Sequence, residues 1–336
     1  MQTTITSLPF ELILSIAEVS YCEDRSAMSL VCKSWLDPAR QALFGEVDFW
    51  DPATSIERIA QWRESPCRER YPSRSISLAT SLMPDEASLR LALESCSGLR
   101  ELSLMAHKMH ASWAVLLCPQ LSTLRSLSLV ACGAIGFEDP GQKDQTTEPR
   151  TLPFQLEKLS LGLDEGITPL LISSLFHSSR NTLSSLTLDL NSDTALPAFV
   201  ISLPLVANRI KHLHLPGRLR KEISPDLSFL STLKSLETLT LSSVTPTIGA
   251  VAPHLPPTLR QISIVTLESS ITNMVRALLK ALPKISVGTL ERIEFPQTRQ
   301  KKFDVAKHAA LINAFRDRKI LLGFSDGWII PVGAGK

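Results

Sequence analysis

One pattern constrains this chain more than any other. Eight segments share the order apolar, polar, polar, apolar, polar, apolar: LRELSL (99–104), LRSLSL (124–129), LEKLSL (156–161), LSSLTL (183–188), IKHLHL (210–215), LETLTL (236–241), LRQISI (259–264) and LERIEF (290–295). Every apolar position is Leu, Ile or Phe and every intervening one is polar. Random order at this composition yields about one such segment. The eight follow one another at spacings of 23 to 32 residues, and a degenerate copy, SRSISL (73–78), precedes them by 26.

The last four residues of each segment alternate, which is the period of a strand. The connecting residues follow the helical period in several places, as at Ala87–Leu93, Leu170–Phe176 and Ile271–Leu279. A strand plus a helix of this size cannot bury its apolar side alone. Stacked copies can, and they align the strands into one parallel sheet. The pattern resembles that of the leucine-rich-repeat family, LxxLxLxxN/C. The resemblance implies an α/β fold, a right-handed solenoid of about 8–9 irregular units over residues 73–325. The family's Asn/Cys position is filled by Cys132 and Asn191, but elsewhere by His107, Asp164, Arg218, Val244 and Leu267. That irregularity, with prolines 197, 204, 253, 256 and 257 between strands, predicts broken connectors.

Residues 133–153 (GAIGFEDPGQKDQTTEPRTLP) read as an exposed loop inserted in the array. Phe303–Arg318 reads as an amphipathic helix and Ile320–Phe324 as a last strand. The apolar tail, within 326–336, either caps the array or folds towards its outward strand face.

The first fifty residues do not fit the repeat; residues 51–72 read as a linker or the first helix of the array. Pro9 opens a helix whose Leu12, Ile13, Ile16 and Ala17 share a face. A polar break at Cys22–Arg25 separates it from a second helix expected to carry Met28, Leu30, Val31 and Trp35. A third is expected to carry Leu36, Ala39, Leu43 and Phe44. Three short helices make a poor independent core, so the module needs a partner surface or its neighbour in the chain. It holds seven acids against three bases, whereas the whole chain has 33 acids and 35 bases, a net charge of +2.

Leu8-Pro9-Phe10-Glu11-Leu12, Ile16 and Leu30-Val31-Cys32-Lys33-Ser34-Trp35 resemble an F-box over residues 1–50. F-box followed by leucine-rich repeats is the architecture of substrate-recognition subunits of Skp–cullin–F-box (SCF) ubiquitin ligases. The resemblance implies docking onto a Skp-type adaptor, and through it a cullin and a RING protein, by Leu8, Pro9, Glu11, Leu12, Ile16, Val31 and Trp35. The repeats would then hold a protein substrate for ubiquitin transfer. The alternative is a repeat scaffold that takes no part in ubiquitination.

The outward strand positions are the third, fifth and seventh of each unit, and they are mostly Ser and Thr. Candidate substrate contacts are Glu101, Lys158, Asp189, His212, His214, Arg292 and Glu294. His212 and His214 point the same way, with Asp189 expected across from them in the adjacent strand. They read as a recognition patch, a phosphate-sensing site, a pH-sensitive contact or two solvated histidines. No third ligand is placed beside them, so no metal is expected.

No enzyme signature survives its context, and neither catalytic residue nor cofactor is expected. Gly333-Ala334-Gly335-Lys336 has no helix after it to cradle a phosphate. Six cysteines without a CxxC pair indicate neither a disulfide framework nor a zinc site. Cys32 is expected to be buried and inert. The small net charge argues against a dedicated nucleic-acid or membrane binder. The opening residues lack a signal-peptide pattern, and the expectation is a soluble cytoplasmic or nuclear protein.

Overall fold

A computed structural model describes residues 8–49, 60–62, 64–80, 86–96, 98–106, 113–130, 148–162, 167–189, 196–216, 227–242, 247–265, 277–285, 289–295, 309–324 and 329–330. The chain divides into two compact α/β units. The first comprises residues 1–146 with 152–155, the second 147–151 with 156–336.

The first unit opens with three helices: α1 (Phe10–Val19), α2 (Cys22–Met28) and α3 (Lys33–Gly45). Pro9 stands at the N-cap of α1, where its missing N–H costs nothing. Glu23 and Asp24 occupy the first turn of α2 and favour its positive end. The residues read as a polar break therefore form a helix. Trp35 belongs to α3 rather than to the second helix. Cys32, fully extended at φ −165° and ψ 172°, separates the two.

The apolar core of this bundle is small: Ile13, Ala17, Trp35, Ala39 and Ala42. Arg25 compensates for that. Its buried guanidinium donates to the carbonyls of Ala17 (2.9 Å), Glu18 (2.8 Å) and Ser20 (3.0 Å) at the end of α1. It also reaches the Ala42 carbonyl of α3 (3.2 Å) and Glu46 Oε2 (2.6 Å). Helix C-termini leave such carbonyls without intrahelical donors, so one cation closes two helices.

α3 runs directly into β1 (Glu46–Phe49), which pairs in parallel with β2 (Ser75–Thr80). The sheet of this unit continues in parallel through β3 (Glu101–Ala106) and β4 (Ser126–Val130). Side chains tie α3 to the segment that leads into β2. Asp37 receives Arg70 Nη2 at 2.8 and 2.9 Å and the Tyr71 hydroxyl. Tyr71 stacks on Phe44 with ring centroids 5.9 Å apart. The Tyr71 hydroxyl, then the Arg70 cation, hold the Asp37 carboxyl below the usual carboxylate range.

In the second unit, β5 (Lys158–Gly162), β6 (Ser185–Asp189), β7 (His212–Leu215), β8 (Thr238–Leu241), β9 (Gln261–Ile264), β10 (Arg292–Phe295) and β11 (Leu321–Phe324) pair in sequence, all parallel. β12 (Ile329–Ile330) adds antiparallel to β11, so the apolar tail closes that edge. The eight motif segments coincide with β3–β10 and the degenerate copy with β2. All of their Leu, Ile and Phe motif residues from 99 to 295 are at most 5 % exposed. Behind the strands of the second unit, Phe176, Phe199 and Phe229 form an edge-to-face ladder with centroids 5.7 and 5.5 Å apart.

Two backbone devices recur. The carbonyl of the second motif residue accepts from two consecutive N–H groups of the next copy. Arg100 O takes Arg125 and Ser126, Ser184 O takes Lys211 and His212, and Glu237 O takes Arg260 and Gln261, all at 2.8 to 3.1 Å. The second device is a hydroxyl just before the motif. Thr123, Thr182, Thr258 and Thr289 donate to the carbonyls of Leu99, Leu156, Leu236 and Leu259 at 2.7 to 3.1 Å. Backbone groups beneath the strands are satisfied there. The Asn/Cys position itself lies outside the described residues.

Most of the expected loop at 133–153 also lies outside them. Its described end is largely exposed at Glu148, Pro149 and Thr151, but Leu152 is buried, as is Phe154 just beyond it. The connecting helix Pro169–Ser179 ties this segment down, with Ser174 accepting from Arg150 N (2.9 Å) and Ser179 from Leu156 N (3.0 Å). The C-terminal helix is described over Ala309–Asp317 and buries Phe315.

Candidate functional site

The helical module splits the apolar face of α1 in two. Ile13 and Ala17 are fully buried, while Leu12 (52 %) and Ile16 (41 %) are exposed. Leu12, Ile16 and Val19 recur at i, i+4 and i+7, one stripe of a helix. Val19, Tyr21, Leu30 and Val31 are exposed as well. A short, charged stretch of chain thus spends several large apolar side chains on water, and such surfaces mark interaction sites. Of the residues expected to face a partner, Pro9, Glu11, Leu12, Ile16 and Val31 are exposed and Leu8 is half-buried. Trp35 differs. At 7 % exposure its indole is part of the module's own core, because α3 turns it towards the bundle.

Cys32 is also not where it was expected. It is half-exposed at the start of α3, with Sγ 3.0 Å from Ser34 Oγ. That hydrogen bond draws its thiol below the usual range.

On the strands the register decides which side chains meet. Third positions align with third and fifth with fifth across the second unit. His212 therefore pairs with Ser185 and Thr238, and His214 with Thr187 and Thr240. Asp189 is not directly across from the histidines: it is the seventh position of its unit, pairs with Gly162, and lies two residues beyond Thr187, the partner of His214. His212 is exposed. His214 is half-buried, with Nε2 3.0 Å from Ser242 Oγ, and burial pushes its imidazole below the ordinary histidine range.

Arg292 and Glu294 do come together, as an ion pair at 2.6 Å on β10. Glu294 Oε2 also accepts from Ser263 Oγ (3.2 Å), which in turn accepts from Gln261 Nε2 (2.9 Å). Lys158 is exposed on β5, at the opposite end of this unit's strand order. Glu101 is exposed on β3 of the first unit. Between the exposed charge of Lys158 and the Arg292–Glu294 pair, the outward positions of the second unit's strands are mainly hydroxyls and imidazoles, an arrangement suited to hydrogen bonding. Among the described residues no cluster of three His, Cys, Asp or Glu is placed to hold a metal. Nor is any helix among them long and apolar enough to cross a membrane.

Sequence reasoning missed Arg25 and the threonine ladder. The ladder did leave a signal, a Thr directly before four motifs. Arg25 left none beyond its place in a charged run.

No protein-family model matches the chain. No curated protein matches it either.

Proposed function

We propose that this chain is the substrate-recognition subunit of an SCF-type ubiquitin ligase. The N-terminal helices dock a Skp-type adaptor, and the repeats hold a protein substrate within reach of the ubiquitin-transferring enzyme. The chain's own part is binding and positioning. The observation that carries this reading is the exposed stripe on α1: Leu12 and Ile16 point outward from a module whose inner face is already filled. Burying two such side chains against a partner contributes about 1.5 to 3 kcal/mol each. The F-box resemblance places the adaptor on these same residues.

The test is co-purification with a Skp-type adaptor, comparing wild type with Ile16→Asp. Ile16 faces solvent, so the variant keeps its circular dichroism spectrum. Co-elution of wild type, lost in the folded variant, supports the ligase reading. A folded wild type that ignores the adaptor removes it and leaves a repeat scaffold.

A further inference from the structure

We propose that the Arg292–Glu294 pair reads a carboxamide, the side chain of Asn or Gln, on an uncharged extended segment of a protein partner. The inference deepens the reading that the repeats hold a protein, and rests on it.

The pair is held in place rather than loosely solvated. Glu294 is fixed from β9 through Ser263 and Gln261. On the other side Arg292 has room because a side chain is missing. Gly323 of β11 stands opposite Glu294 in register. A Cβ there would lie 3.3 Å from Arg292 Nη2 and 3.4 Å from Nε, closer than ordinary contact. The guanidinium thus lies across the glycine, in space that a side chain would occupy. Arg292 Nε is buried there without a hydrogen-bond partner among the described residues. An orphaned donor costs free energy, so this pose is not the one a freely solvated arginine would choose.

The pose presents a specific set of groups. Nη2 is engaged by Glu294, while Nη1 makes no bond within this network. Each Glu294 oxygen accepts one bond here and keeps a further lone pair. An incoming anion would meet the Glu294 carboxylate, and an incoming cation the guanidinium. A carboxamide meets neither penalty: its oxygen accepts from Nη1 and its NH₂ donates to Glu294. Discrimination therefore comes from repulsion of both kinds of charge as much as from attraction.

The adjoining strands agree. The outward third and fifth positions of β7, β8 and β9 are His212, His214, Thr238, Thr240, Gln261 and Ser263. None is a carboxylate or an ammonium, and each both donates and accepts hydrogen bonds. Burial disfavours the charged form of His214. A neutral polar segment laid across these strands finds a partner for each polar group.

The test pans a phage-displayed random peptide library on the immobilised full-length chain. The expected result is enrichment of Asn or Gln and depletion of charged residues. A selected peptide should lose about tenfold in affinity on Arg292→Lys, which keeps the charge but loses the planar fork. Gly323→Ala, which displaces the guanidinium, should weaken the same peptide with its sequence preference relaxed. Circular dichroism verifies that both variants fold. Enrichment of acidic peptides, tighter binding of phosphoserine peptides, unchanged affinity in both variants, or no enrichment at all would overturn the proposal. Adaptor co-purification is read separately, so failure here leaves the ligase assignment to its own test.

Discussion

The helical module and the repeat strands solve the same problem with opposite polarity. The strands put Leu, Ile and Phe inside and Ser and Thr outside. The module puts a guanidinium at its centre and leaves Leu12, Ile16 and Val31 in water. A repeat finds its apolar partner in the next copy, so its outward face is free to be polar. Three short helices have no next copy. Their small core leaves a polar keystone to hold them together and apolar side chains on the surface.

The largest expected effects come from each region's centre. Arg25→Ala removes the donor shared by α1, α3 and Glu46, and should cost about 4 kcal/mol. Urea denaturation with a helix-sensitive probe measures it. Leu239→Ala, at the centre of the second unit, should cost about 3 kcal/mol through the cavity it leaves. If Arg25→Ala proves neutral, the keystone account is wrong.

Thr182→Val tests the hydroxyl ladder. It strips the donor from the Leu156 carbonyl and should cost about 1 kcal/mol.

His214 makes the strand region sensitive to acid. Its folded pKa lies below the unfolded value near 6.5, so the unfolded chain binds the proton more tightly. The stabilisation is complete above about pH 6.5 and is lost as pH falls towards the lowered folded pKa. In His214→Gln the stability–pH curve should flatten across that window. A curve identical to wild type would show that His214 is not the titrating group.

The smallest effects should come from the module's surface. Leu12→Ser and Ile16→Ser should each shift the stability of the isolated chain by under about 0.5 kcal/mol. Ile13→Ser, one residue from Leu12 but fully buried, should be strongly destabilising. Comparable losses at positions 12, 13 and 16 would mean that the stripe is not exposed. Cys32, with its lowered pKa, should be alkylated by iodoacetamide ahead of the buried Cys96 and Cys118.

Much of the array was legible in advance because each motif carries its own period. A residue such as Leu186 announces its place through Leu183 and Leu188, and a parallel ladder follows once copies stack. The module was harder to read, since period alone does not say which half of an apolar face turns inward. Leu12 and Ile13 look alike in the chain and end on opposite sides. Arg25 resembles a solvated residue in a charged run; only the position of two helix ends makes it a core residue. The expected direct opposition of Asp189 and the histidines is absent for a simpler reason. Register pairs like motif positions, and Asp189 is two residues too far along its strand.

In the proposed assembly the adaptor docks on the exposed stripe of α1 and not on the exposed apolar residues of the repeats. Calorimetric titration of a Skp-type adaptor into wild type, Ile16→Asp and Ile201→Asp tests it directly. Ile201 lies on the connecting helix Leu196–Ser202 and is more exposed than Ile16. Binding is expected for wild type and Ile201→Asp, and at least tenfold weaker binding for a folded Ile16→Asp. No binding by wild type, or equal binding by all three, would contradict it.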